Sequence, residues 1–240
     1  MKEILTFYKD LGVDTVLEGA PVNRLAASST PLALEEAPKE LPAFENARYL
    51  ADKATSLEEL EKYVKGFTGC DLKKTAMNTV FGDGSASAEV MFIGEAPGAN
   101  EDKEGIPFCG QSGKLLNNIL KATGFARETV YITNTVFWRP PGNRRPTPDE
   151  IKICRPFVEK SIALIHPKML VLVGSTAVES LLDSKVSMHT LRETNYMYEN
   201  RYTKEEIPTF VIFHPSYLLR QPTKKKLMWF DFLKIKEAIA

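Results

Sequence analysis

The chain has 240 residues, of which 43% are hydrophobic and 26% are charged, and this composition is typical of a globular protein with one main domain. Lys plus Arg and Asp plus Glu are equal at 31 each, so the net charge excludes a bulk attraction to a polyanion and leaves only local clusters. The sequence holds no apolar run of the ~18–20 residues that a membrane span needs and no evident export signal, so we expect a cytoplasmic protein.

The first 60 residues predict an extension of the main domain. Residues 1–20 carry apolar residues at helical spacing, and residues 21–42 hold four prolines among small and polar residues, which is typical of a linker. A second helix is predicted over residues 56–65, where Ser56 and Glu59 form a capping box. We therefore divide the chain into an extension at 1–60 and a globular domain at 61–240.

The globular part alternates strands with helices. Such alternation predicts a three-layer α/β/α fold with a central, mostly parallel sheet of four strands. Pro156 is expected to kink or divide its helix. The predicted strands are 89–93, 130–134, 168–174 and 209–213, and the predicted helices are 112–124, 147–165 and 175–182.

Three polar segments directly follow predicted strands, at 94–101, 134–145 and 214–220. In parallel sheets the ligand crevice lies beyond the carboxyl ends of the strands, so we expect these segments to converge in space.

The first of these segments continues to residue 116 and combines five glycines with Glu95, Glu101 and Phe108. Glycines allow backbone N–H groups to approach a ligand closely. The segment does not match the glycine patterns of dinucleotide or P-loop sites, so no nucleotide cofactor is predicted. The alternative is a flexible acidic loop.

Asn134 and His214 stand at the ends of the second and fourth predicted strands. An Asn amide offers a donor and an acceptor together, which suits the polar edge of a pyrimidine, although a lone Asn is more often a cap or turn residue. A His can donate to negative charge that develops on a carbonyl oxygen. His166 and His189 lack comparable surroundings, and we expect them to be surface or capping residues.

Residues 217–220 could form an apolar wedge with a cation beside it, which would fill the gap that a flipped base leaves, or simply turn into a helix. Two basic clusters lie at 139–145 and 220–226, the second followed by Trp229 and Phe230. A solvated charged face is the alternative for both clusters.

The three motif segments together resemble the uracil-DNA glycosylase superfamily, and specifically its family 4, some of whose members are described as phage-type DNA polymerase-related proteins. The resemblance covers about residues 69–236 and rests on the motifs TVFGDG, GEAPG, ITN, RPPGNR and HPSYLLR in that order. It implies a monofunctional enzyme that flips uracil out of single- or double-stranded DNA and hydrolyses its N-glycosidic bond.

The resemblance also implies a role for each motif residue. Phe108 would stack on the flipped uracil, Asn134 would pair with its polar edge, and His214 would stabilise the oxygen of the departing base. Glu95 and Glu101 would flank the sugar and support the attacking water. The pocket backbone would be shaped by Gly94, Ala96, Pro97 and Gly98, and the DNA would be contacted by Ser216, Leu218, Leu219, Arg220 and Arg144.

The sequence departs from the family pattern in two places. The most studied relatives have an aspartate as general base where this chain has Ala96, so the choice between Glu95 and Glu101 stays open. A related branch forms a covalent bond to the abasic sugar through a histidine after its ITN-like motif, but residues 142–147 contain none. Covalent trapping is therefore not expected.

The cysteines argue against a cofactor. Family 4 typically binds a [4Fe–4S] cluster through four cysteines, whereas only Cys70 and Cys154 match those positions and Phe67 and Trp138 occupy the others. Cys109 lies in the PF motif and is a poor substitute. We predict no cluster, no other metal and no organic cofactor, and three unpaired thiols fit a reducing compartment.

A second hypothesis is a non-catalytic module that binds abasic sites or single-stranded DNA through Phe108, Trp138, Trp229 and the basic clusters. It would show salt-dependent binding without base release. A polymerase fragment or phosphotransferase is a poor match, because the chain lacks acidic metal-binding motifs and a phosphate loop. In either main hypothesis we expect a monomer.

Overall fold

The computed structural model describes residues 41–184 and 186–239. The helix predicted at 1–20 and nearly all of the linker predicted at 21–42 lie outside the described residues. The helices in the described part are α1 (Ala43–Lys53), α2 (Leu57–Gly66), α3 (Ala99–Glu104), α4 (Gln111–Thr123), α5 (Pro148–Ile165), α6 (Ser175–Leu182), α7 (Met188–Glu193), α8 (Pro215–Arg220) and α9 (Lys225–Ile239).

The strands are β1 (Asp83–Gly84), β2 (Val90–Gly94), β3 (Tyr131–Asn134), β4 (Met169–Val173), β5 (Tyr196–Tyr198) and β6 (Ile207–Ile212). They form one six-stranded sheet in the order β1-β3-β2-β4-β6-β5. The four inner strands run parallel, and β1 and β5 pair antiparallel at the two edges.

The inner strands are buried on both faces because nearly all of their side chains are apolar. Along β2, Met91 and Ile93 point to one apolar cluster and Val90 and Phe92 to another. Helices α1, α2, α5 and α6 contribute to the first cluster, whereas α4, α8 and α9 contribute to the second. The predicted three-layer α/β/α fold is therefore confirmed.

The four predicted strands are the four inner parallel strands, so the sequence missed only the short edge strands β1 and β5. Pro156 does not divide its helix, since α5 runs unbroken from Pro148 to Ile165 with Pro156 buried inside it.

Helix α2 begins after Ser56, whose side chain accepts from the Glu59 backbone N–H as predicted. The Glu59 carboxylate accepts from the backbone N–H and hydroxyl of Thr55. Helices α1 and α2 bury Ala47, Ala51 and Leu60 in the core, and the compact unit begins at Leu41. The boundary of the domain thus falls earlier in the chain than residue 60.

None of the helices in the described residues combines the length and apolar character that a membrane crossing requires.

Candidate active site

A cleft of about 880 Å³ lies at the carboxyl ends of the four parallel strands. All three polar segments that the sequence singles out reach it, so the predicted convergence of Asn134 and His214 on one cavity is confirmed. The predicted site residues that line the cleft are Glu95, Ala96, Pro97, Gly98, Glu101, Phe108, Asn134, Arg144, His214, Ser216 and Arg220.

Asn134 ends β3 with its side chain almost fully buried at the cleft, and its Oδ1 has no hydrogen-bond partner among the described residues. A buried acceptor left unpaired costs free energy, so such an atom needs an explanation. Gly94 lies beneath it, because a Cβ at that position would stand 2.5 Å from Asn134 Oδ1 and 2.6 Å from the Phe108 ring. Gly94 thus lets the amide and the ring lie against the same backbone.

Phe108 places its ring beside the imidazole of His214, with 5.6 Å between the ring centroids. Its backbone has a φ of +50°, which is unusual for a bulky side chain. Helix α4 starts close behind it, since a Cβ at Gly113 would stand 1.7 Å from the Phe108 carbonyl oxygen. The aromatic wall of the cleft therefore depends on a tightly packed loop.

His214 caps the N-terminus of α8, and its Nδ1 accepts from the backbone N–H of Ser216 at 3.2 Å. The Ser216 hydroxyl lies 2.8 Å from the same nitrogen. Because a backbone N–H can only donate, the neutral ring carries its proton on Nε2. Burial lowers the pKa of His214 below its usual 6.5. The negative charges of Glu95 and Glu101 act in the opposite direction, and the positive charge of Arg220 lowers the pKa further.

Glu95 is held in place from two sides. Its backbone carbonyl accepts from the Thr135 hydroxyl at 2.6 Å, and its carboxylate Oε2 accepts from the hydroxyl of Thr176 in the first turn of α6. Thr176 Oγ1 in turn accepts from Arg145 Nε at 2.8 Å. No described residue hydrogen-bonds to the other carboxylate oxygen, which leaves it available to the cleft.

Glu101 has a different environment, because both of its carboxylate oxygens accept backbone N–H groups. Oε1 accepts from Gly110 at 2.8 Å and Oε2 from Gly98 at 3.1 Å. The carboxylate therefore ties together the two glycine turns that border the cleft.

The rim of the cleft carries two of the predicted DNA contacts, Arg144 and Arg220. Arg144 forms a bidentate pair with Glu150 at 2.9 and 2.6 Å, and this pair lowers the pKa of the Glu150 carboxyl. Leu219 is 41% exposed, but Leu218 is fully buried against the sheet. We therefore assign Leu218 to the core, and only Leu219 remains available as a wedge.

The cleft is also lined by residues that were not predicted from the sequence. Gly174 and Ser175 directly follow β4. They could have been predicted in the same way as the other three segments, because residues after the carboxyl ends of parallel strands line the crevice. His189 also lines the cleft, with its ring 5.4 Å from that of Phe213, and its position in the segment between β4 and β6 gave no signal. His166 is the αL residue that ends α5, which confirms it as a capping residue.

Cys70 and Cys154 are buried together, away from the cleft. Their shared hydrogen bond and burial raise the pKa of the Cys154 thiol well above its usual value. The rings of Phe67 and Trp138 belong to the same buried apolar cluster, with their centroids 6.5 Å apart, and Trp138 Nε1 donates to Thr79 Oγ1 at 3.0 Å. Two thiols and two packed rings do not supply the four thiolates that an iron–sulfur cluster generally needs.

Three relatives of known name are similar to this chain in sequence. The chain is 40% identical over 187 residues to a type-4 uracil-DNA glycosylase of Sulfurisphaera tokodaii, covering 76% of this chain and 84% of the relative. It is 37% identical over 185 residues to a type-4 uracil-DNA glycosylase of Archaeoglobus fulgidus, covering 76% and 92%. It is also 30% identical over 152 residues to a DNA polymerase of Bacillus phage SP01, covering 63% of this chain and 16% of that protein.

The sequence model described as the uracil DNA glycosylase superfamily matches residues 81–234. This range contains all four parallel strands and every residue of the cleft named above. The chain therefore belongs to the uracil-DNA glycosylase superfamily.

Proposed function

We propose that this protein is a monofunctional uracil-DNA glycosylase, which flips a uracil nucleotide into the cleft and hydrolyses its N-glycosidic bond. The observation that supports this most is the unpaired Oδ1 of Asn134 beside the Phe108 ring and the imidazole of His214. An amide facing a pocket with one aromatic wall suits a flipped pyrimidine, which stacks on the ring and pairs through its polar edge.

Asn134 would distinguish uracil from cytosine through its amide. Uracil presents an N3–H donor and an O4 acceptor on its polar edge, which match the Oδ1 acceptor and the Nδ2 donors of an Asn. Cytosine has an acceptor and a donor at these positions, so its pairing would be reversed. The N3–H of uracil would also satisfy the buried Oδ1.

His214 would act on the leaving group. When the C1′–N1 bond breaks, its electrons leave with uracil and negative charge collects on O2, while positive charge develops on the sugar. A neutral imidazole with its proton on Nε2 can donate to that oxygen, and a preorganised donor of this kind favours the transition state. Water then supplies the hydroxyl group of the abasic sugar, and its proton balances the charge on uracil.

Glu95 is the carboxylate that we assign to the sugar and the attacking water. One of its oxygens is free toward the cleft and the other is fixed by Thr176, whereas both oxygens of Glu101 hold backbone N–H groups. A negative charge near the sugar stabilises an oxocarbenium-like centre as well as orienting a water molecule. Glu101 would then act by shaping the pocket.

The direct test is incubation with uracil-containing DNA, single- and double-stranded, with and without alkali. A monofunctional enzyme releases uracil and leaves a strand that breaks only after alkali treatment. Asn134→Asp is a matched variant, because it keeps the shape of the side chain and replaces the donor with an acceptor. Salt-dependent binding without base release would instead identify a non-catalytic DNA-binding module.

We also propose that the protein works without an iron–sulfur cluster. The burial of the Phe67 and Trp138 rings in the same apolar cluster as Cys70 and Cys154 supports this, since these rings stand at two positions where the family typically has cysteine ligands. Purified protein is expected to contain no stoichiometric iron and no absorbance near ~400 nm. Stoichiometric iron in protein that was never exposed to chelators would contradict the proposal.

We further propose that the enzyme acts as a monomer in the cytoplasm. Three cysteines without a disulfide among the described residues are consistent with a reducing compartment. Sedimentation of purified protein tests the oligomeric state directly.

A further inference from the structure

Arg127 lies outside the cleft but holds the loop that carries Phe108. It stands in the short turn before β3, and its side chain is 18% exposed. Its guanidinium donates to two successive backbone carbonyls, from Nη2 to Pro107 at 2.6 Å and from Nη1 to Phe108 at 3.2 Å. One side chain therefore fixes both peptide groups that orient the Phe108 backbone.

Two more acceptors fix the guanidinium itself. Nη1 also donates to Asn117 Oδ1 on α4 at 2.9 Å, and Nε donates to Asp83 Oδ2 on β1 at 2.8 Å. Arg127 thus links an edge strand, a helix and the Phe108 loop. A lysine cannot replace this arrangement, because its ammonium is a single point charge without the planar fork of donors.

The loop needs such a restraint because its backbone is strained. Phe108 has a φ of +50°, and bulky residues adopt that conformation only where the surrounding structure imposes it. In this strained conformation the ring lies against Gly94 and beside His214. If the loop relaxed to an ordinary φ, the ring would turn away from the place where a base could stack.

We propose that Arg127 is a positioning residue for base recognition, which holds Phe108 in its strained conformation so that the ring stacks on the flipped uracil. The inference rests on the proposed function, because that function supplies the uracil on which the Phe108 ring would stack. Arg127 does not line the cleft. Its effect on the reaction passes through Phe108.

A double-mutant cycle tests this coupling. Arg127→Lys, Phe108→Ala and the double variant are compared by kcat and KM on uracil-containing DNA, with thermal unfolding to confirm that each is folded. We expect Arg127→Lys to lower kcat/KM by about 10- to 100-fold, mostly through KM, because stacking is made in the bound state before the bond breaks. In the Phe108→Ala background the same change should have almost no effect, because the ring is gone.

Two further variants keep the test decisive. Asp83→Asn weakens the bond that holds Arg127 at the edge strand β1 and leaves the core unchanged. It should lower kcat/KM less than Arg127→Lys does, and this effect should also disappear in the Phe108→Ala background. Arg155→Lys is the matched control, since Arg155 is also partly buried and pairs with Glu159 at 2.7 Å, but lies outside the cleft. It should leave kcat/KM unchanged in both backgrounds.

The outcomes separate the inference from the function on which it rests. If the wild-type protein releases uracil but the effects of Arg127→Lys and Phe108→Ala multiply independently, the positioning role is wrong and the glycosylase assignment stands. If Arg127→Lys lowers only the unfolding temperature, the residue is structural alone. Failure of the wild-type protein to release uracil would overturn both proposals.

Discussion

At the scale of single residues, His214 shows how local geometry sets a chemical state. Its Nδ1 accepts from the backbone of Ser216, which places the neutral ring's proton on Nε2. Protonation of Nδ1 would leave that partly buried backbone N–H without its acceptor, and burial of the ring disfavours the extra charge. The lowered pKa of His214 and the hydrogen bond to Ser216 therefore favour the same neutral form.

The preference of His214 for its neutral form predicts how the reaction rate depends on pH. Because the folded pKa of His214 lies below 6.5, the neutral imidazole persists at and above that pH and is lost as the pH falls through the lowered pKa. The contribution of His214 to the free energy of unfolding follows the same direction. It is present above the pKa of the unfolded state and is lost as the pH falls through the lowered pKa of the folded state. Single-turnover rates between about pH 5 and 8 should show an acid limb that His214→Gln removes. An identical acid limb in the variant would show that a group other than His214 is responsible for it.

At the scale of elements, the site is assembled from the ends of parallel strands and the first turns of the helices that follow them. Thr176 illustrates this, since it belongs to the first turn of α6, yet its hydroxyl donates to Glu95 after β2. Arg145, in the loop after β3, donates to the same hydroxyl and so directs its proton toward the carboxylate. Two other segments of the chain thus fix the side chain of Glu95.

Thr176→Val should lower kcat by about tenfold or more, because it removes the donor that fixes the carboxylate while keeping the shape of the side chain. Thr176→Ser retains the hydroxyl and should restore most of the activity. Thr123→Val is a matched control, since Thr123 is equally buried but bonds only to backbone carbonyls of α4, at Ile119 and Leu120. Steady-state rates equal to wild type in Thr176→Val would show that Glu95 needs no such support.

The four inner strands could be predicted because short, mostly apolar runs without charges, bounded by turn residues, are typical of buried strands. The edge strands β1 and β5 could not, because two or three residues carry no periodicity and their pairing depends on the neighbouring strand. Leu218 and Leu219 also could not be distinguished, since the phase of a six-residue helix is set by what it packs against. His189 reaches the cleft only because the segment before β5 folds over it.

At the scale of the whole molecule, a buried ion pair joins the C-terminal helix to the segment between β4 and β5. Arg192 and Asp231 are only 6% and 5% exposed and are bonded at 2.6 and 2.8 Å. The guanidinium also lies 4.5 Å from the ring centre of Phe213, next to His214. Burial raises the pKa of Asp231, against the opposing effect of Arg192.

Asp231→Ala should lower the free energy of unfolding by about 3–5 kcal/mol, because it leaves the Arg192 charge buried without its carboxylate counter-ion. Replacing both residues by apolar ones of similar size, as in Arg192→Met with Asp231→Leu, should be much less harmful. The exposed pair between Lys168 and Glu89 provides the control, and Glu89→Ala should cost at most about 1 kcal/mol. Urea unfolding measures the free energy of unfolding of all three variants. An equal loss in Asp231→Ala and in Arg192→Met with Asp231→Leu would contradict the explanation.

The outermost strands of the sheet span two and three residues, Asp83–Gly84 and Tyr196–Tyr198. Long, flat outer strands offer unpaired N–H and C=O groups as a template for association with a neighbouring molecule. In this sheet the outer strands expose the backbone groups of only two and three residues. In β1 the extended backbone ends at Gly84, which has a φ of +109°. Concentrated solutions of the protein should accordingly resist strand-mediated aggregation even though the inner strands are almost entirely apolar.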